Sequence, residues 1–242
     1  MRVVREFLLL DKKDQIIFWL LCTLVINFII AIAKFILAIY LPSLWFAVNA
    51  GFAFILFISR FITIKKYNML KSLQNENEKL KYEYKAYAQN GVMLILLGVM
   101  YFCVSSYMYY NGINTNIHEY ITYLVASISF YSIGMAIYGM VKYKRNREPI
   151  LKSIKITNFA SALTSIVLTQ VVLLDTFAMQ YNSSINGCTG MGVSIIIMLL
   201  GLYMILGIKK LEKWRNKKTG QNLKSINIDV IIRIMGFPMN NS

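Results

Sequence analysis

Six apolar stretches follow one another along the chain, at about residues 16–40, 44–64, 91–110, 120–141, 156–177 and 192–208. Each approaches or exceeds the roughly 20 residues that an α-helix needs to cross about 30 Å of hydrocarbon at 1.5 Å per residue. None alternates apolar and polar positions over about ten residues, as a membrane β-strand does. Backbone inside a bilayer must satisfy its own hydrogen bonds, which leaves helices. The pattern therefore predicts an all-α, polytopic membrane protein with six transmembrane helices. It divides the chain into a leader at 1–15, a six-helix domain at 16–208 and a basic tail at 209–242, in which Ile226–Met235 reads as an interfacial segment.

Charge fixes the expected orientation. Arg2, Arg5, Lys12 and Lys13 precede the first stretch, and Lys65, Lys66, Lys71, Lys79, Lys81 and Lys85 lie between the second and third. Lys142, Lys144, Arg145, Arg147, Lys152 and Lys155 lie at or near the connection between the fourth and fifth, and eight more basic residues follow Ile208. The intervening connections at 41–43, 111–119 and 178–191 hold no Lys or Arg. The positive-inside rule then predicts that both termini are cytoplasmic. The first stretch has a charged leader but is long and lacks a small-x-small cleavage site, so it is expected to remain as a span.

Composition agrees. Of 242 residues 57% are hydrophobic and 15% charged, against about 25% charged in soluble domains. The net charge of +15 is spread over four segments, which favours anionic lipid at the cytoplasmic face over nucleic acid as a partner. A homodimer stays open. The expected location is a cell membrane, and the abundance of Ile, Lys and Asn points to a bacterial cytoplasmic membrane.

No enzyme signature is present. His118 is the sole histidine, and there is no CxxC, HExxH, GxSxG or glycine-rich phosphate loop. The expectation is a protein that is not an enzyme and carries no cofactor or resident metal. Cys22, Cys103 and Cys188 are scattered, with only Cys188 placed in an outer connection, and suggest packing residues instead of a disulfide framework. Residues 65–90 contain strong helix formers, but a solvated connector is the favoured reading over a helical extension.

Polar residues within the apolar stretches are the candidates for function, because a charge in hydrocarbon costs at least about 2.5–3.5 kcal/mol. Asn27 and Lys34, seven residues apart, share one helix face with Ala31 between them. Asn49 falls near the outer end of the second helix. Lys34 and Asp175 share a depth about 27 Å above the inner boundary, where they either pair or snorkel separately to the outer interface. Asn158, Ser161, Ser165, Thr169 and Thr176 form one stripe on the fifth helix, read chiefly as a packing surface and secondarily as a pathway wall. Arg60 is expected to be an interfacial anchor.

Asn27, Lys34, Ser43 and Asn49, separated by 7, 9 and 6 residues, resemble the opening pattern of the cation diffusion facilitator family. Six helices with both termini cytoplasmic match that family, and Ser153 before Asn158 is similar to its second half-site. The resemblance spans about residues 20–208 and implies the same bundle. It breaks at the metal ligands: the His/Asp and Asp positions fall on Phe52 and Leu56 and on Ser161 and Ser165, and the cytoplasmic metal-binding domain is missing. Phenylalanine and leucine offer no ligand, and neutral hydroxyls bind zinc poorly. Two functions are expected. One is a cation-transporter-like permease with a rewritten, non-zinc site that moves an unidentified ion or small solute. The other is a non-transporting protein that binds a partner subunit or lipid on the same scaffold.

Overall fold

The computed structural model describes residues 12–40, 44–71, 76–112, 119–142, 149–177 and 183–219. These form six helices: α1 (Lys12–Tyr40), α2 (Leu44–Lys71), α3 (Glu76–Asn111), α4 (Glu119–Lys142), α5 (Pro149–Phe177) and α6 (Ser183–Thr219). No strand occurs among the described residues. Five segments are long and apolar enough to cross a membrane: Trp45–Lys66, Glu78–Asn111, Glu119–Gly139, Pro149–Phe177 and Ser184–Ile208. In α1 the described apolar part is the shorter Leu24–Tyr40.

Several helices run past their apolar stretches. Residues 65–71 belong to α2 and 76–90 to α3, so most of the expected connector is helix. The cause is packing: Leu80, Tyr84 and Tyr87 are buried on one face of this part of α3. Residues 183–191 belong to α6, so Cys188 is an exposed helical residue instead of a loop residue. The helix continues through residues 209–219, whereas the proposed interfacial segment Ile226–Met235 lies outside the described residues, as do His118 and Ser43.

The chain forms two compact units, Met1–Lys65 and Lys66–Ser242. In the first, Phe28 of α1 stacks at a tilt on Phe57 of α2 with ring centroids 4.9 Å apart. The two rings are almost equally far from the short link between the helices, so α1 and α2 run antiparallel. The inward stripe of α1 is Leu24, Asn27, Ala31 and Lys34, and Ile29, Ile32, Phe35 and Ile36 are exposed on its other side. On α2 the buried stripe is Trp45, Asn49, Phe52, Leu56, Ser59 and Thr63, with Arg60 beside it.

The second unit is built on α3 against α6, its most extensive helix pairing. The facing residues of α3 are Leu80, Tyr84, Tyr87, Gly91, Leu94, Gly98, Tyr101, Ser105 and Met108, all buried at alternating steps of four and three. On α6 they are Gly187, Gly190, Ser194, Ile197, Gly201, Met204 and Ile208, at steps of three and four. This is the 3.5-residue repeat of a coiled-coil seam. Its glycines set the separation. A Cβ on Gly201 would lie 2.6 Å from the Gly91 carbonyl oxygen, and one on Gly187 would lie 2.7 Å from Cα of Tyr109. Gly91 and Gly98 likewise lie against Gly201 and Ser194 backbone oxygens. Lipid tails compete with apolar side chains for each other, so close backbone approach through small residues is what holds such helices together. Helix α5 packs on α3, α4 and α6, with α4 as its most extensive partner. In the last turn of α3, exposed Tyr107, Tyr109 and Tyr110 and, in the first turn of α4, Tyr120 and Tyr123 place phenols at the ends without basic residues, as in an interfacial aromatic belt.

The seam predicts a contrast between two glycines on one helix. Gly201→Ala forces backbone apart and lowers stability by about 1–3 kcal/mol. Gly192→Ala meets nothing within 4 Å and leaves stability unchanged or slightly raised. Thermal unfolding of both variants in detergent measures the difference, and equal transitions would remove the seam as the element that limits stability.

Candidate functional site

Two cations of the first unit are buried. Lys34 and Arg60 are each 3% exposed, so Arg60 sits on the buried face of α2. Lys34 lies six residues beyond Phe28, or about 9 Å farther along α1. Arg60 lies three residues beyond Phe57 on the antiparallel α2. Helical side chains lean toward the N-terminus of their own helix, which turns both cations toward the level of the phenylalanine pair. From Gln15 to Lys71 the sequence has no Asp or Glu.

Asn27 is half-buried on the Lys34 face. Asn49 is 1% exposed, and its amide donates to the Trp45 carbonyl one turn back at 3.0 Å. Its Oδ1 is buried with no hydrogen-bond partner among the described residues. Thr63 likewise donates to Ser59 O at 2.7 Å. The buried surface of α2 thus combines one guanidinium, one open carbonyl acceptor and two hydroxyls within an apolar helix.

In the second unit the hydroxyls of the α5 stripe bond to their own helix. Ser165 donates to Ser161 O at 3.0 Å, Thr169 to Ser165 O at 2.9 Å and Thr176 to Val172 O at 2.8 Å. Hydroxyls that bond their own preceding turn present little polarity outward and allow close helix approach. Thr176 also pairs with Thr122 of α4 at 2.5 Å. Asn158 is half-buried, with a buried Oδ1 that has no partner among the described residues. Asp175 is half-buried near the end of α5. Lys34 belongs to the first unit and Asp175 to the second.

Other polar residues were missed in the apolar pattern. Gln170 of α5 donates to Thr189 Oγ1 at 2.9 Å and to Asn186 Oδ1 at 3.4 Å, both on α6. Asn90 of α3 donates to Ser153 of α5 at 2.6 Å, and both are buried. Lys66 donates to Gln89 at 2.8 Å and so ties the end of α2 to α3. Glu83, placed by the sequence pattern in a connector, is 3% exposed. Its position one residue before Tyr84 of the four-and-three repeat was the available signal.

Phe52 and Leu56 are 4% and 1% exposed in the first unit, while Ser161 and Ser165 lie in the second. Among the described residues no group of three or more His, Cys, Asp or Glu side chains is placed to hold a metal ion. Zinc titrated into the purified protein should therefore show no micromolar binding that Ser161→Ala with Ser165→Ala abolishes; calorimetry supplies the measurement. For the α5–α6 contact, Gln170→Leu leaves Asn186 and Thr189 without their donor and should cost about 0.6–1.7 kcal/mol in thermal unfolding. A silent change would show that the amide does not hold the two helices. No family model matches the chain, and no curated protein sequence matches it.

Proposed function

We propose that the chain is a six-span integral membrane protein with both termini cytoplasmic, acting as a cation-transporter-like permease for an ion or small solute at a site without zinc ligands. The sixth span is α1, a helix of 29 residues whose sequence is apolar from Ile16 onward. At about 1.5 Å per residue it is long enough to cross the hydrocarbon. The observation that carries the functional reading is the burial of Lys34 and Arg60 together in one membrane-spanning hairpin. Ionisable groups at that depth are costly, and they mark solute and ion paths more often than structural sites. Asn27 and Asn49 add neutral polar groups to the same hairpin, in keeping with a cation-diffusion-facilitator-like arrangement of its first two helices.

A second reading, a scaffold that binds a partner or lipid without transport, draws on the self-bonded hydroxyls of α5 and the glycine seam of α3 and α6. Both favour close helix packing in the second unit.

Cysteine accessibility separates the two readings. In a background with Cys22, Cys103 and Cys188 replaced by serine, Asn27→Cys, Lys34→Cys and Asn49→Cys are each exposed to a charged, membrane-impermeant methanethiosulfonate in proteoliposomes. A permease gives labelling at Lys34→Cys or Asn49→Cys well above that at the apolar control Leu24→Cys. A dry hairpin leaves all of them unlabelled, and that result overturns the permease reading.

A further inference from the structure

Lys152 stands in the first turn of α5, three residues after Pro149, where the helix supplies its own positive end and no acidic residue to balance it. Its ammonium donates to the Tyr203 hydroxyl of α6 at 3.2 Å. It also lies over two rings, 4.7 Å from the centroid of Tyr203 and 5.9 Å from that of Tyr87 on α3. Three helices of the second unit therefore meet at this one cation. Among the described residues, these two tyrosines are its only partners, so its charge is held in place without being neutralised.

The surface around it is divided by polarity. Tyr203 is half exposed, and Leu199, Leu202 and Leu206 are exposed beside it on α6, at 57%, 44% and 69%. Leu199, Tyr203 and Leu206 follow at steps of four and three, which puts Leu199 about 6 Å to one side of Tyr203 along α6 and Leu206 about 4.5 Å to the other. In the sequence, residues 142–155 carry six basic side chains and one acidic one, a local charge that favours an anion. An apolar strip with a fixed ammonium against its middle matches an amphiphile with an anionic head.

We propose that Lys152, Tyr203 and the Leu199–Leu206 strip form a binding site for an anionic phospholipid, with the phosphate on Lys152 and an acyl chain along α6. Tyr87, fully buried, backs the cation from within and sets its height. The occupant is a lipid in preference to a soluble phosphate because half of the site is apolar and faces outward. A bound lipid tightens the contact of α5 with α3 and α6, since its phosphate engages the residue that touches both. This inference rests on the membrane placement of α5 and α6 and is independent of whether the chain moves a solute.

The test is the thermal unfolding of the full chain in detergent with phosphatidylglycerol, phosphatidylcholine or inorganic phosphate. Phosphatidylglycerol should raise the transition by about 4 °C, a shift of the size expected for a ligand present well above its Kd. Phosphatidylcholine and inorganic phosphate should each give less than a third of that shift. Lys152→Ala should lose most of the phosphatidylglycerol shift, Lys152→Arg should keep it, and Tyr203→Phe should reduce it. An equal shift with inorganic phosphate would make this a free-anion site and overturn the lipid assignment. A full shift in Lys152→Ala would overturn the site itself. If Lys152→Ala does not fold, the decision passes to Tyr203→Phe and Leu202→Glu, either of which refutes the proposal by retaining the full shift. Because the accessibility of Lys34→Cys is measured separately, failure here leaves the permease reading standing, and failure there leaves this one.

Discussion

The approach of the Gly201 backbone to the Gly91 carbonyl oxygen sets the geometry of the second unit. With a Cβ lacking on both sides, α3 and α6 come close enough for a long row of van der Waals contacts, and in lipid such contacts replace the hydrophobic drive that holds a soluble bundle. The four-and-three spacing keeps that row in line over the whole seam, from Leu80 to Met108 on one helix and from Gly187 to Ile208 on the other. The position of α5 follows from it. This helix lies against both partners and joins them by neutral side-chain bonds, Asn90 to Ser153 at one level and Gln170 to Asn186 and Thr189 at another. These bonds fix rotation and register, whereas the glycines fix distance.

The first unit solves another problem. Its two helices are apolar on their exposed faces and yet carry a buried amine and a buried guanidinium. Taking a charge out of water is costly, more so than burying the neutral hydroxyls and amides found elsewhere in the chain. That difference, between α5 hydroxyls bonded to their own helix and cations buried in the first unit, is why the functional proposal rests on Lys34 and Arg60.

Much of this was legible in the sequence. Helix number and approximate bounds follow from apolar runs, since the bilayer leaves backbone almost no alternative. The face shared by Asn27, Ala31 and Lys34 follows from helical spacing, and burial of Ala31 and Lys34 agrees with it. Hydropathy alone missed the extension of α3 down to Glu76, because Lys79, Lys81 and Lys85 mask a buried stripe of Leu80, Tyr84 and Tyr87. Counting steps of three and four from Gly98 backward through Gly91 to Leu80 would have recovered it. The burial of Arg60 was hidden for a related reason: nearness to the end of an apolar run says how deep a residue lies, and not which side of the helix it occupies. The Gln170 contacts were hidden because an isolated amide in a hydrophobic run declares neither its partner nor its direction.

Helix α3 has 36 residues and a length of about 54 Å, well beyond the roughly 30 Å thickness of a bilayer's hydrocarbon core. An unbroken ladder of backbone hydrogen bonds makes such a rod stiff in torsion as well as in bending. A twist applied at Glu83 or Tyr87, at the charged end, therefore turns Tyr101 and Met108 by nearly the same angle. Because those residues mesh with α6 along the whole seam, a displacement at one end is resisted along its full length. The α3–α6 pair is in this sense a mast, to which α5 is stayed at two levels by its side-chain bonds.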